Sequence, residues 1–110
     1  MKFLNHMSEL KNKVVLVVGG GTGIGLGIGV AFAEEGAKVL LAGRTQASLD
    51  AAKALPEVGA SFLTKTADAV DRKSIAELVS FTEENLGPVD ILVFSAGINV
   101  PQRSFAELDP

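Results

Sequence analysis

The chain has 110 residues, of which 47% are apolar and 21% charged, a balance that suits one small globular domain and excludes a disordered chain. It contains no Cys, Tyr or Trp and a single His, His6, so thiol catalysis, disulfides, Cys-based zinc sites and a tyrosine proton donor are all excluded within it. The net charge of −3 is uneven, with six Lys/Arg against four Asp/Glu in residues 1–55 and four against nine in residues 56–110; a mildly basic first half favours a small anionic ligand and is too weak to argue for nucleic acid.

Residues 1–12 read as an N-terminal extension without the apolar core of a secretory signal, since Phe3-Leu4 is only two residues long. With no cysteine either, the cytoplasm is the expected location. Val14–Val18 is a continuous run of β-branched residues and one Leu, the pattern of a strand buried on both faces of a parallel sheet. A glycine-rich turn follows at residues 19–25, then a helix expected to end at Glu35 with Gly36 as its C′ residue. Ile24, Ile28, Ala31 and Phe32 are its expected apolar face, and close helix–strand packing accounts for Gly27 and Gly29 within it. Residues 38–42 form a second strand, and Thr45 can cap a helix running to about Leu55. Residues 60–66 read as a weaker third strand. Asp71 caps a third helix, whose face Ile75, Leu78, Val79, Thr82 and Leu86 has helical spacing, and Gly87-Pro88 stops it. Residues 89–94 are a fourth strand with Asp90 near its start, and residues 95–110 are loop-like. The order βαβαβαβ argues for an α/β fold with a parallel sheet.

Seven of the 12 glycines lie between Gly19 and Gly29. Strand, glycine turn and helix together make a phosphate-binding arrangement, because glycine tolerates φ > 0 and lets a pyrophosphate approach backbone N–H groups at a helix N-terminus. A strict GxGxxG is not present. The pattern is GxxxGxG, in registers 19/23/25, 21/25/27 and 23/27/29, and only the first starts directly at the strand end. A Walker P-loop is excluded because no Lys follows the glycines. Two other readings stand beside this one: a structural turn without a ligand, and a membrane span, since residues 14–33 carry no charge and contain GxxxG spacings. Seven glycines make a poor helix for the latter, at about 1 kcal/mol each relative to Ala.

Together, residues 15–25 (VLVVGGGTGIG), Gly43-Arg44, Asp68-Ala69 and residues 90–97 (DILVFSAG) resemble the first half of a short-chain dehydrogenase/reductase of the one-domain branch. The resemblance covers nearly all of residues 13–110. It implies a Rossmann-like, doubly wound parallel sheet in the order 3-2-1-4, truncated after the fourth strand. It implies that Gly19, Gly23 and Gly25, with Gly21 and Thr22 of the same turn, bind the pyrophosphate of a nicotinamide dinucleotide. Ile24 would pack beside the nicotinamide-side ribose and phosphate. Asp68 would accept from adenine, with Ala69 supplying a backbone N–H, and Ser95, Ala96 and Gly97 would line the cofactor where the fourth strand ends. The alternative for Asp68 is a helix-start or turn residue. Two positions depart from the family pattern: Val18 stands where a Thr usually precedes the first glycine, and Phe94-Ser95 stand where Asn-Asn is usual. Ser95 cannot copy an Asn amide.

The cofactor choice is read at the end of the second strand. An NAD site places a carboxylate there, but this chain has Gly43, followed by Arg44, whose guanidinium suits a 2′-phosphate. NADP is therefore expected, with NAD as the alternative. The family's proton donor is a Tyr assisted by a Lys, with a Ser and an Asn, all beyond the fourth strand, so no catalytic residue is assigned. His6 has nothing to position it as part of a triad, and the pairs Asp68/Asp71 and Glu83/Glu84 suit capping and a solvated helix face better than metal. The implied activity is hydride transfer between a nicotinamide cofactor and a carbonyl or alcohol of a small molecule, with no nucleic-acid or membrane partner and a homo-oligomer at full length. A non-catalytic NADP-binding module and a vestigial fragment are the alternatives. The fourth strand is expected to be an unprotected edge through which the isolated chain associates.

Overall fold

The structure, a computed structural model, describes residues 8–21 and 23–95. In chain order the elements are β1 (Val14–Val18), α1 (Gly23–Glu34), β2 (Lys38–Gly43), α2 (Gln46–Lys53), β3 (Leu63–Thr66), α3 (Arg72–Asn85) and β4 (Ile91–Phe94). Short 3-10 turns occupy Ser8–Leu10 and Gly59–Ser61. The four strands are all parallel and lie in the order β3-β2-β1-β4.

Alternation along β1 and β2 divides the core between the two faces of the sheet. Val15, Val17, Val39 and Leu41 point to one face, where Leu49 and Ala52 of α2 complete a cluster covered by Leu26, Val30, Phe32 and Ala33 of α1. Leu16, Val18, Leu40 and Ala42 point to the other, against Leu78, Ile75 and Val79 of α3. Helices on both faces explain why every residue of β1 is buried. The uncharged stretch from Val14 onward is thus a strand, a turn and a helix. Among the described residues no helix is long and apolar enough to cross a membrane.

The helix ends follow local chemistry. Gly36 has φ +90°; its N–H donates to Ala33 and that of Ala37 to Phe32, a Schellman closure with Gly36 at C′. Asp71 accepts from the Lys73 N–H at 3.0 Å and caps α3. Thr45 occupies the N-cap position of α2 but makes no side-chain capping bond, and α2 stops at Lys53, short of Leu55.

Four further expectations are corrected. Of the expected apolar face of α1, Phe32 packs against the core, whereas Ile24 and Ala31 are exposed. Gly25 and Gly29 are the buried positions, flanked by Leu26, Val30, Phe32 and Ala33, while Ile24 is 78% exposed. A Cβ on Gly29 would come within 2.7 Å of Leu41 Cδ2, so the line of closest approach is marked by glycine rather than by bulk. Gly27 faces open space and needs no packing explanation. The third strand begins at Leu63 rather than residue 60, because the Ser61 N–H and hydroxyl both bond to the Val58 carbonyl and close a turn. The fourth strand begins at Ile91 rather than residue 89, because the Val14 N–H is taken by the Asp90 carboxylate instead of a ladder carbonyl.

Candidate functional site

The sheet order reverses at β1, which has β2 on one side and β4 on the other. In open α/β sheets ligands bind outside the carboxyl ends of the strands at such a switch point. Here the loops leaving the strands are tied to the ends of the neighbouring strands. The Gly19 and Gly20 N–H groups donate to the Ala42 carbonyl at 2.7 and 2.9 Å, Ser95 N–H to Val18 at 2.8 Å, and Ala67 N–H to Gly43 at 2.9 Å. The Ser95 bond continues the β1–β4 ladder through the backbone alone, and among the described residues no side-chain tie replaces the one an Asn amide would supply.

The glycine turn is built around positions where a side chain is disfavoured by the backbone conformation or has no room. Gly19 has φ +89° and Gly23 φ +61°, a left-handed backbone that favours glycine. A Cβ on Gly25 would overlap the Gly19 carbonyl oxygen and stand 3.0 Å from its carbon. The first turn of α1 therefore sits directly on the turn that precedes it. Its N-terminus holds no acidic side chain, so its free N–H groups and dipole favour an anion. Gly21 lies beside α2, where a Cβ would meet Ser48 Cβ at 3.2 Å, and Gly43 lies opposite the Gly21 nitrogen, with 3.8 Å from a Cβ to that atom. Arg44 and Thr45 follow Gly43, both exposed.

Beyond β3, Asp68 is exposed and Ala69 half-buried. Asp68 Oδ1 accepts the Val70 N–H at 3.1 Å, and the Asp68 N–H donates to Ser74 Oγ at 2.9 Å. Asp68 is thus the turn residue of its loop, with its second carboxylate oxygen making no hydrogen bond to a described residue. Of the expected site residues, Gly19, Gly21, Arg44, Asp68, Ala69 and Ser95 lie in the loops at the carboxyl edge and Gly23, Ile24 and Gly25 in the first turn of α1 beside them. Thr22, Ala96 and Gly97 lie outside the described residues, as does His6. Among the described residues no three His, Asp or Glu side chains group as metal ligands.

Sequence reasoning missed Ser48, Ser74 and the Asp90–Val14 pair. Ser74 had a signal, since it is the third residue of a helix with a capped N-terminus, a position from which a side chain reaches back past the cap. An open depression lined by Glu9, Leu10, Lys13, Asp90 and Ile91 lies at the opposite edge, where β1 and β4 begin. Of its two carboxylates, that of Asp90 is already bonded to Val14.

The family description "short chain dehydrogenase" matches residues 13–110. Glycine betaine reductase ATRR of Emericella nidulans is 42% identical over 90 residues, 81% of this chain and 7% of that protein. Cis-4-hydroxycyclohexanecarboxylate dehydrogenase of Sinomonas cyclohexanicum is 34% identical over 97 residues, 88% of this chain and 39% of that one. Among solved structures, the F189W variant of actinorhodin polyketide ketoreductase with NADPH superposes with a TM-score of 0.72 at 37% identity, covering 77% of this chain and 33% of that chain. A short chain dehydrogenase from Bacillus anthracis gives a TM-score of 0.65 at 36% identity, over 76% and 35%. The chain spans well under half the length of each of these relatives. Its four-stranded order, its glycine turn and this match over residues 13–110 have one consequence: the chain belongs to the short chain dehydrogenase family.

Proposed function

We propose that this chain is the cofactor-binding part of an NADP-dependent oxidoreductase that transfers hydride between the nicotinamide and a carbonyl or alcohol carbon of a small molecule. The observation that carries this is the Gly19–Gly25 contact. A cradle in which a Cβ would overlap a carbonyl oxygen brings bare backbone and a helix N-terminus together, as a pyrophosphate requires. Gly19, Gly21, Thr22, Gly23 and Gly25 would hold the pyrophosphate, with Ile24 beside the nicotinamide-side ribose. Asp68 and Ala69 would hold the adenine, and Ser95, Ala96 and Gly97 the cofactor at the end of β4. The bound cofactor supplies the hydride chemistry, and these residues bind and orient it.

The preference for NADP over NAD rests on the end of β2. Gly43 offers no carboxylate to a ribose 2′-OH, and the exposed Arg44 beside it offers charge-assisted bonds to a 2′-phosphate. The ketoreductase to which the chain is similar was solved with NADPH, which supports the same choice. The 110 residues contain no Tyr, so the family's proton donor has no counterpart among them, and this chain alone is expected to be inactive. A small-molecule substrate, a homo-oligomer at full length and a cytoplasmic setting for this cysteine-free sequence belong to the same proposal. Titrating the chain with NADPH and with NADH tests it. Saturable binding with NADPH the tighter ligand is expected, equal affinities would remove the Arg44 argument, and absence of binding would overturn the function.

A further inference from the structure

We infer that Ser74 is a positioning residue for recognition of the cofactor's adenine base, acting through Asp68. The inference rests on the proposed role of Asp68 and Ala69 as the adenine-binding pair. The loop from Ala67 to Val70 is held from β2 and from α3, with a turn bond from the Asp71 N–H to the Asp68 carbonyl between them. Its start is tied to β2, by the Ala67 N–H donating to the Gly43 carbonyl at 2.9 Å. Its middle is tied to α3, by the Asp68 N–H donating to Ser74 Oγ at 2.9 Å. Ser74 is itself held firmly, because the next residue, Ile75, and Leu78 and Val79 one turn on pack into the core on that face of the sheet. The bond to Ser74 is the only side-chain link between Asp68 and a rigid element among the described residues.

The clamp has a chemical consequence. Asp68 Oδ1 is occupied by the Val70 N–H at 3.1 Å, and the Asp68 carbonyl by the Asp71 N–H at 3.1 Å. Asp68 Oδ2 and the Ala69 N–H make no hydrogen bond to a described residue. One acceptor and one donor are therefore left on adjacent residues. Adenine presents the complement on its Watson–Crick edge, an amino donor at N6 and an acceptor at N1. Hypoxanthine presents the reverse, an acceptor at O6 and a donor at N1. A loop held in register by Ser74 distinguishes the two bases, whereas a loop free to pivot about Ala67 does not.

The test measures base preference in the 110-residue chain, by fluorescence titration with NADPH, with its hypoxanthine analogue and with reduced nicotinamide mononucleotide, which lacks the base. The unaltered chain is expected to favour NADPH over the hypoxanthine analogue by roughly tenfold, the worth of one or two hydrogen bonds. Ser74→Ala is expected to reduce that preference to roughly two- to threefold, since one bond that orders the loop is lost. Ser74→Thr, which keeps the hydroxyl, is expected to retain it, and mononucleotide binding is expected to be the same in all three. A full base preference in Ser74→Ala, or an equal weakening of all three ligands, overturns the inference, the second outcome indicating a purely structural role. Asp68→Asn separates the two levels of the argument. If it abolishes the preference while Ser74→Ala keeps it, only the role of Ser74 falls. If it leaves the preference intact, or if the unaltered chain binds without preference or not at all, the adenine reading falls and the role of Ser74 with it.

Discussion

The Asp90 carboxylate accepts the Val14 N–H at 2.8 Å while the Asp90 N–H donates to the Val14 carbonyl at 2.9 Å. The two residues stand 76 apart in sequence, and the reciprocal pair closes the N-terminal end of the β1–β4 ladder. It sets the register that places Val18 opposite Phe94 and so positions Ser95 at the other end. Replacing Asp90 with Ala leaves a backbone donor at the start of a buried strand without its partner. A loss of about 1–2 kcal/mol in urea unfolding is expected, with a smaller loss for Asp90→Asn, whose amide oxygen can still accept.

Gly25 and Gly27 lie two residues apart on α1 and are expected to respond in opposite directions to the same substitution. At Gly25 a methyl group has no room beside the Gly19 carbonyl, so Gly25→Ala shifts the glycine turn, costs about 1–3 kcal/mol and removes NADPH binding. At Gly27 nothing stands within 4 Å, so Gly27→Ala raises helix propensity and stabilises by up to about 1 kcal/mol. Thermal melts paired with NADPH titration check both.

Arg44→Ala is expected to weaken NADPH binding by roughly 10- to 100-fold, the equivalent of losing charge-assisted bonds worth about 1.5–3 kcal/mol. NADH binding is expected to change by no more than about twofold, because the ribose 2′-OH carries no charge for Arg44 to meet. Isothermal titration with both cofactors provides the comparison. A parallel loss for both would place Arg44 against the shared part of the molecule.

Leu92 and Phe94 are 58% and 54% exposed on β4, the outermost strand among the described residues. They pair in register with the buried Leu16 and Val18 and extend that apolar face outward. Exposed apolar surface at a strand edge promotes association. The double variant Leu92→Thr/Phe94→Thr is expected to reduce self-association in light scattering while costing less than about 1 kcal/mol in stability. Leu40→Ala, in the fully buried centre of the same face, is expected to cost about 2–5 kcal/mol.

Much of this was legible because local chemistry and tertiary need coincide. The apolar run Val14–Val18 is buried throughout, Gly36 closes α1 in a left-handed conformation, and Asp71 caps α3. In each case the residue type is demanded by its own few neighbours in the chain. Reading failed where the controlling partner is distant in sequence. Ile24 and Ile28 looked like the buried face of α1, yet a contact with the turn at Gly19 and with Leu41 on β2 puts Gly25 and Gly29 there instead. Thr45 has the right chemistry for a cap and makes no capping bond.

By itself the sequence determined the alternation of strands and helices, the parallel order 3-2-1-4 by way of the family resemblance, and the place of the glycine turn between a buried strand and a helix. The alternation and the glycine turn follow from periodicity, from caps, and from the steric freedom of glycine, all of which act over a few residues; the strand order was implied by the resemblance alone. Only the tertiary structure decided which glycines are contact points and which face solvent, where β3 and β4 begin, that Ser74 ties the loop after β3 to α3, and that Asp90 pairs with the start of β1. The reason is that each of those outcomes depends on the distance between two backbones brought together by packing. A bond such as Asp68 to Ser74, or a contact such as Gly25 on Gly19, exists only once the sheet and its helices are assembled.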